Sequence, residues 1–274
     1  MLITGVTGFI GKRMYALLER EGAEVHGVSR RRKGFKGVWT DLDILDLRAL
    51  SEFIKQHEFE VVIHLGALTK RRYGDLPAEE YFKVNVQGTE NVLRAAEEVG
   101  AKVVFASTAA VYTSSKHPYV ESKRKAEEVC AKYGAVIARI FNAYGEGKEG
   151  GVIEIFIRRA LTGQPLIVNS GQVRDFIYVD DVCRALWLLA RKAKQGFYDV
   201  GTGHGIPIEQ VAELVIKLTG SSSWIEIRPA EPSISVADIS PLKALGFKPK
   251  VSFEEGLRRV IEYIKARGWL QEIT

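Results

Sequence analysis

Short, nearly unbroken apolar runs alternate with amphipathic stretches of helical period through the first half of the chain, and this alternation limits the fold more than any other feature. Residues 24–28, 60–65, 102–106 and 135–140 read as strands, and 9–21, 47–57, 78–99 and 120–132 read as helices. Val61-Val62-Ile63-His64-Leu65 and Val103-Val104-Phe105-Ala106 show too little polar alternation for a half-solvated strand, so both of their faces are expected to be covered. The pattern predicts an α/β protein with a doubly wound parallel sheet and helices on both faces. In such a sheet ligands sit beyond the carboxyl ends of the strands, and chemistry-bearing residues are expected just after each run.

The first strand-to-helix turn, Thr4-Gly5-Val6-Thr7-Gly8-Phe9-Ile10-Gly11, spaces its glycines as Gly-x-x-Gly-x-x-Gly. A strand running through glycines into a helix N-terminus presents backbone N–H groups and the positive end of the helix dipole, which suits a pyrophosphate. The same spacing also serves as a tight connection with close packing.

With 274 residues, 46% of them hydrophobic, the chain is long enough to bury a substantial core. The net charge of +5 is largely local: Arg30-Arg31-Arg32-Lys33 and Lys70-Arg71-Arg72 supply the excess, and elsewhere Lys and Glu are interspersed. A nucleic-acid partner is therefore not expected. No apolar run approaches the roughly 20 residues of a membrane span, and the expected location is cytoplasmic. Cys130 and Cys183 lack metal-ligand spacing and read as buried thiols, with no metal site expected. After Tyr144 the rhythm changes: helical patterns at 152–162, 179–193, 207–219 and 253–267 alternate with short extended pieces. Two domains are expected, 1–145 and a smaller 146–274, with 173–203 returning to the first.

Tyr119 and Lys123 stand four apart at the start of a helix, on one face. An ammonium beside a phenol lowers the phenol's pKa from about 10 and equips it as a general base for a hydroxyl. Ser107 and Thr108 close the preceding strand, where a hydroxyl either bonds the reacting oxygen or caps the next turn.

With these stand Ile63-His64-Leu65-Gly66-Ala67, Asn85-Val86-Gln87-Gly88-Thr89, Ser107-Thr108-Ala109-Ala110-Val111-Tyr112, Arg139-Ile140-Phe141-Asn142-Ala143-Tyr144-Gly145 and Arg174-Asp175-Phe176-Ile177-Tyr178-Val179-Asp180-Asp181. In this order, over nearly the whole length, the chain resembles the extended short-chain dehydrogenase/reductases of the nucleotide-sugar epimerase/dehydratase family. The resemblance implies a Rossmann-type NAD(P)-binding domain with a smaller C-terminal α/β substrate-binding lobe. It implies Thr108, Tyr119 and Lys123 as the catalytic residues, with Tyr119 and Lys123 also at the cofactor. Gly5, Thr7, Gly8, Phe9, Ile10 and Gly11 would line its pyrophosphate, Asp43 and Ile44 the adenine, and Leu65, Gly66, Ala67 and Asn85 the remainder. Ser107, Thr108, Asn142, Arg174 and Arg228 would hold a nucleotide sugar, and Asp180-Asp181 would cap the following helix. A homodimer through helices near 86–99 and 120–132 is implied in the same way.

Three departures from the family pattern sharpen the reading. Ala109-Ala110 replaces the Asp-Glu pair of the sugar dehydratases, so a second proton carrier is missing and dehydration is disfavoured. Only Thr113 to Pro118 separate Tyr112 from Tyr119, a shortened loop whose Lys116 and His117 read as exposed. The acidic residue that would bind the adenosine ribose is replaced by Ser29 and Arg30, which leaves NAD and NADP open. The expected activity is a UDP-hexose 4-epimerase with tightly bound NAD(P). An NADP(H)-dependent 4-keto nucleotide-sugar reductase and a non-catalytic NADP-sensing protein are the alternatives.

Overall fold

The computed structural model describes residues 1–32, 34–69 and 76–267; Lys33 and the basic Lys70-Arg71-Arg72 run lie outside the described residues. Seven strands, β1 (Leu2–Thr4), β2 (His26–Ser29), β3 (Trp39–Asp41), β4 (Val61–His64), β5 (Lys102–Thr108), β6 (Val136–Ile140) and β10 (Gly196–Val200), form one sheet. Its order is β10-β6-β5-β4-β1-β2-β3, and every pairing is parallel. The expected α/β fold with a doubly wound parallel sheet is present, and β3 and β10 are strands that the apolar pattern did not mark. Trp39-Thr40-Asp41 is short, half-buried and at the sheet edge, so it carries no continuous apolar run.

The helices of this first unit include α1 (Phe9–Arg20), α2 (Leu47–His57), α3 (Ala78–Phe82), α4 (Gly88–Glu97) and α5 (Pro118–Lys132). Asp46 starts α2 by accepting a hydrogen bond from Ala49 N, an ordinary N-cap. Residues 78–99 read as one helix in the sequence, but a π-turn at Lys83–Gln87 separates α3 from α4. It coincides with a tertiary contact: the wider turn carries the buried Asn85, whose side chain is fastened on both sides of Leu68. Gly88 follows, at a point where a Cβ would overlap the Ile44 side chain.

Register fixes which side chains share a face. Thr4 pairs with His64, His64 with Phe105 and Phe105 with Ile137, so these four form one row across the sheet. The core of this unit, including Phe105, Ile137, Tyr81, Val92 and Ala126, packs against the same elements.

The chain divides into two compact units, 1–140 with 182–200 and 240–247, and 141–181 with 201–239 and 248–274. The second holds the helix α6 (Val152–Leu161). Its strand β9 (Gln172–Tyr178) pairs with β7 (Asn142–Tyr144), β11 (Gly205–Pro207) and β13 (Ser233–Ser235). Beside them β8 (Leu166–Asn169) pairs with β12 (Ile225–Arg228). Asp175, fully buried on β9, organises the loops of this unit. Its carboxylate accepts from Thr202 N, Thr202 Oγ1, Gly203 N and Ala237 N. Asp181, in the first turn of the helix α7 (Val179–Lys192), is buried. Its carboxylate accepts from Lys250 N at 2.8 Å and Val251 N at 3.0 Å, fastening a distant stretch of chain. Both cysteines are buried thiols. No helix among the described residues is long and apolar enough to cross a membrane, and no His/Cys/Asp/Glu cluster among them has metal-site geometry.

Candidate active site

Each glycine of the opening turn is glycine for a different reason. Gly5 has φ +70°, and a Cβ there would stand 2.8 Å from the Gly66 backbone, so only glycine fits. Gly11, in α1, has its missing Cβ replaced by the carbonyls of Gly5 and Val6. Gly8 differs: its φ of −75° suits any residue, and a Cβ would meet only Gly5 O at 3.1 Å. A Cβ there would crowd that backbone carbonyl, and no side-chain cap is made at this N-cap of α1. A helix N-terminus kept clear of side chains is a cradle for an anion, and this turn fits the pyrophosphate of a dinucleotide.

A directed chain of buried hydrogen bonds leads from that turn to the helix of Tyr119. Gly66 N donates to Thr4 Oγ1 at 3.1 Å, and Thr4 Oγ1 lies 2.6 Å from His64 Nδ1. Thr89 Oγ1 spends its hydrogen on Asn85 O at 2.7 Å, so it accepts from His64 Nε2 at 3.0 Å. This leaves His64 neutral, protonated on Nε2 and accepting from Thr4 at Nδ1. Burial, with the charge of Lys123 as the second cause, pushes the His64 pKa down to about 3. Asn85 continues the chain: its amide donates to Leu68 O and Ser122 Oγ and accepts from Leu68 N. Ser122 Oγ then donates to Tyr119 O at 2.8 Å.

Several expected site residues are therefore used by the protein itself. Asn85, expected at the cofactor, is 1% exposed with its amide fully engaged, and it braces the 65–68 loop against α5. Ser107, expected on the substrate side, turns toward α5 and donates to Glu127 Oε1 at 2.6 Å. Ser29 accepts from Trp39 Nε1 at 2.7 Å and donates to Arg31 O at 3.1 Å, which engages the hydroxyl that a 2′-phosphate would need. Arg30 is exposed and lies 4.0 Å from Asp43, so these two expected cofactor residues do come together. Asp43 Oδ1 also accepts from Leu45 N, and Asn91 donates to Ile44 O, which fixes the 43–45 turn.

Thr108 Oγ1 accepts from Ala110 N at 3.2 Å, capping a short 3₁₀ turn at Ala109–Tyr112. Accepting that bond leaves the hydroxyl its own proton to donate. Tyr119 opens α5 one residue after Pro118, and His117 Nδ1 accepts from Tyr119 N at 3.1 Å. His117, read from the sequence as an exposed loop residue, is thus the half-buried N-cap of the helix that carries Tyr119. One turn on, Lys123 is 3% exposed and donates from Nζ to Ala106 O at 2.7 Å. Burial pushes its pKa down to about 8.

Helical spacing puts Glu127 one further turn along α5, a signal the sequence carried and the motif reading passed over. Glu127 is 5% exposed and binds Arg139 through both carboxylate oxygens, with Arg139 Nη2 at 2.7 Å from Oε2. Arg139 lies between the rings of Tyr112 and Phe197, and donates to Tyr112 OH, which donates to Asp199 Oδ1.

In the second unit, Asn142 donates from its side chain to Asp175 O at 3.0 Å. Arg174 is half-buried and donates to Val173 O, Ser233 O and Gln172 Oε1, all neutral oxygens. Burial holds its pKa below the usual guanidinium value, and no carboxylate among the described residues meets its charge. Arg228 is exposed and pairs with Glu226 at 3.1 Å.

A glycine turn fit for a dinucleotide, a sheet of this order and a Tyr-Lys pair on one helix define a nucleotide-cofactor enzyme. The model of the NAD dependent epimerase/dehydratase family matches residues 1–201, and the chain belongs to that family. It is 31% identical to the UDP-N-acetyl-alpha-D-glucosaminuronate decarboxylase of Bacillus cytotoxicus, over 96% of this chain and 97% of the relative. It is also 31% identical to a putative UDP-glucose 4-epimerase of Methanocaldococcus jannaschii, over 97% and 98%. Among solved structures, the UDP-glucose 4-epimerase of Thermus thermophilus in complex with NAD superposes with a TM-score of 0.83. It is 29% identical and covers 96% of this chain and 98% of that one. The chain is an enzyme of the extended short-chain dehydrogenase/reductase type, in a family that joins nucleotide-sugar epimerases and decarboxylases.

Proposed function

We propose that this enzyme is an NAD-dependent UDP-hexose 4-epimerase that interconverts UDP-glucose and UDP-galactose. The observation that carries the reading is the Tyr119–Lys123 pair, one helical turn apart with its lysine buried, beside a Thr108 that keeps a proton to donate and is followed by two alanines. Lys123, as an ammonium, favours the Tyr119 phenolate, and Tyr119 removes the proton of the C4 hydroxyl. Thr108 donates a hydrogen bond to the same oxygen as it becomes a ketone. A bound nicotinamide supplies a reversible hydride acceptor for this oxidation. Once the keto sugar has turned over and the hydride would be given back to the opposite face of C4, Tyr119 returns the proton to the C4 oxygen and the opposite configuration results. Ala109 and Ala110 transfer no proton, so nothing after Thr108 carries the extra acid–base pair of a dehydration.

Gly5, Thr7, Gly8, Phe9, Ile10 and Gly11 would hold the pyrophosphate of NAD, with Asp43, Ile44, Leu65, Gly66 and Ala67 along the rest. NAD is preferred over NADP because Ser29 is engaged with Trp39 and Arg31, and Arg30 has Asp43 nearby to answer its charge. Asn142, Arg174 and Arg228 would meet the nucleoside diphosphate, for which a guanidinium fork is well shaped. On this reading the second unit would be the substrate-binding domain, and the enzyme would act in the cytoplasm as a homodimer.

The decarboxylase relative favours one further reading, since oxidation at C4 would prepare a uronate for decarboxylation as it prepares a hexose for epimerisation. A 4-keto sugar bearing a C6 carboxylate is a β-keto acid; loss of CO₂ leaves its electron pair in an enolate, which is then protonated. Incubating the purified enzyme with UDP-galactose or UDP-glucuronate, without added cofactor, separates the two. UDP-glucose from the first and no CO₂ from the second is the expected result; CO₂ release with no UDP-glucose would replace epimerase by decarboxylase.

A further inference from the structure

Lys123 is a buried cation that no carboxylate among the described residues pairs with directly. The groups around it come from three elements. On β5, Ala106 O accepts its hydrogen bond at 2.7 Å, and the Phe105 ring centroid lies 3.9 Å from Nζ. On α5, Glu127 is engaged by Arg139 and Ser107, and Cys130 is a thiol whose pKa burial pushes up to about 12. On β4, His64 is neutral and faces the same Phe105 ring at 5.7 Å between centroids. Tyr119 stands one turn earlier on α5 itself.

We propose that Phe105 is a positioning residue for the reaction, its ring face holding the Lys123 ammonium charged and aimed where an ion-pair partner would otherwise stand. The choice of a ring has a chemical reason. A carboxylate there would draw the ammonium into an ion pair and compete with the Tyr119 phenolate. A ring face attracts the cation by its quadrupole and takes no proton. The N–H groups of Lys123 beyond the one given to Ala106 stay available for Tyr119 and for a ribose hydroxyl. The row Thr4–His64–Phe105 explains why the ring stays put: it is packed from β4, and His64 beside it carries no competing charge. The inference rests on the reading of Lys123 as the partner of Tyr119.

The test replaces Phe105 by 3,4,5-trifluorophenylalanine, which removes the negative ring face at nearly constant shape, and separately by Leu. The Lys123 ¹³Cε resonance is followed by NMR titration of the purified full chain, and kcat and KM for UDP-galactose are measured against pH. In the native protein the resonance is expected to be ring-shifted upfield and to titrate near 8. Both variants are expected to titrate lower by about one pH unit, the size of a desolvated cation–π contact. Phe105→Leu should also lose the upfield shift, and the alkaline limb of kcat should move with the titration while KM holds. A midpoint unchanged in the fluorinated protein, which keeps its fold, would overturn the proposal. A shifted midpoint with no turnover of UDP-galactose by any form supports it and removes the proposed substrate instead.

Discussion

Lys123 and Glu127 stand one turn apart on the same face of α5, both buried, and the protein treats their charges in opposite ways. Glu127 is saturated: both oxygens bind the Arg139 guanidinium, Ser107 donates to one of them, and two rings cover the arginine. Lys123 has a carbonyl and a ring face, and its pKa has fallen from 10.5 to about 8. A buried charge that serves architecture is paired, because leaving it unpaired costs several kcal/mol. A buried charge that serves chemistry is left partly unanswered, since a satisfied ammonium would have little attraction left for a phenolate.

The largest effect should come from removing the unanswered charge. Lys123→Met is expected to lower kcat by about 10³ or more. It should also stabilise the fold, by up to about 3 kcal/mol at pH 7, because the depressed pKa of the buried ammonium is a cost of folding. Urea unfolding beside the activity assay reads both, and a destabilised variant would break the comparison. The converse substitution is Glu127→Ala, which strands Arg139 and should cost about 3–5 kcal/mol, with activity lost only in proportion to the unfolded fraction.

The His64 row gives a pH-dependent test of about half that size. The folded pKa of about 3 lies below the unfolded value near 6.5, so its stabilisation is complete above pH 6.5 and falls as the pH drops toward 3. About 2 kcal/mol should be lost by pH 5 on this account. The loss should be absent in His64→Gln, measured by denaturant midpoints at both pH values. The smallest effect is expected at the head of α5: His117→Ala removes the N-cap of the helix bearing Tyr119 and should cost about 1 kcal/mol, most of it recovered by His117→Asn.

How much of this was legible beforehand follows a physical line. The parallel sheet and its helices were readable because both-face burial writes continuous apolar runs such as Val61–Leu65 into the chain. The positions of Tyr119, Lys123 and Thr108 were readable from helical spacing and from the ends of those runs. What spacing could not reveal was the use each polar group makes of its hydrogens. Ser107, Asn85 and Ser29 were expected to face ligands, and each spends its side chain on a neighbour far away in sequence: Glu127, Leu68 and Trp39. Phe105 was legible as a strand residue and silent about its ring, because a cation over a ring face is a tertiary contact. The π-turn around Asn85 was invisible for the same reason, since it coincides with an amide tied to Leu68.

The central claim is that Tyr119 and Lys123 drive a reversible oxidation at C4 in which the hydrogen never leaves the enzyme. UDP-galactose carrying deuterium at C4 tests it directly, with no cofactor added and the product analysed by NMR and mass spectrometry. The account predicts UDP-glucose that keeps the deuterium at C4, formed by the native enzyme and not by Tyr119→Phe. UDP-glucose that has exchanged its label with solvent, or undiminished turnover by Tyr119→Phe, would contradict it.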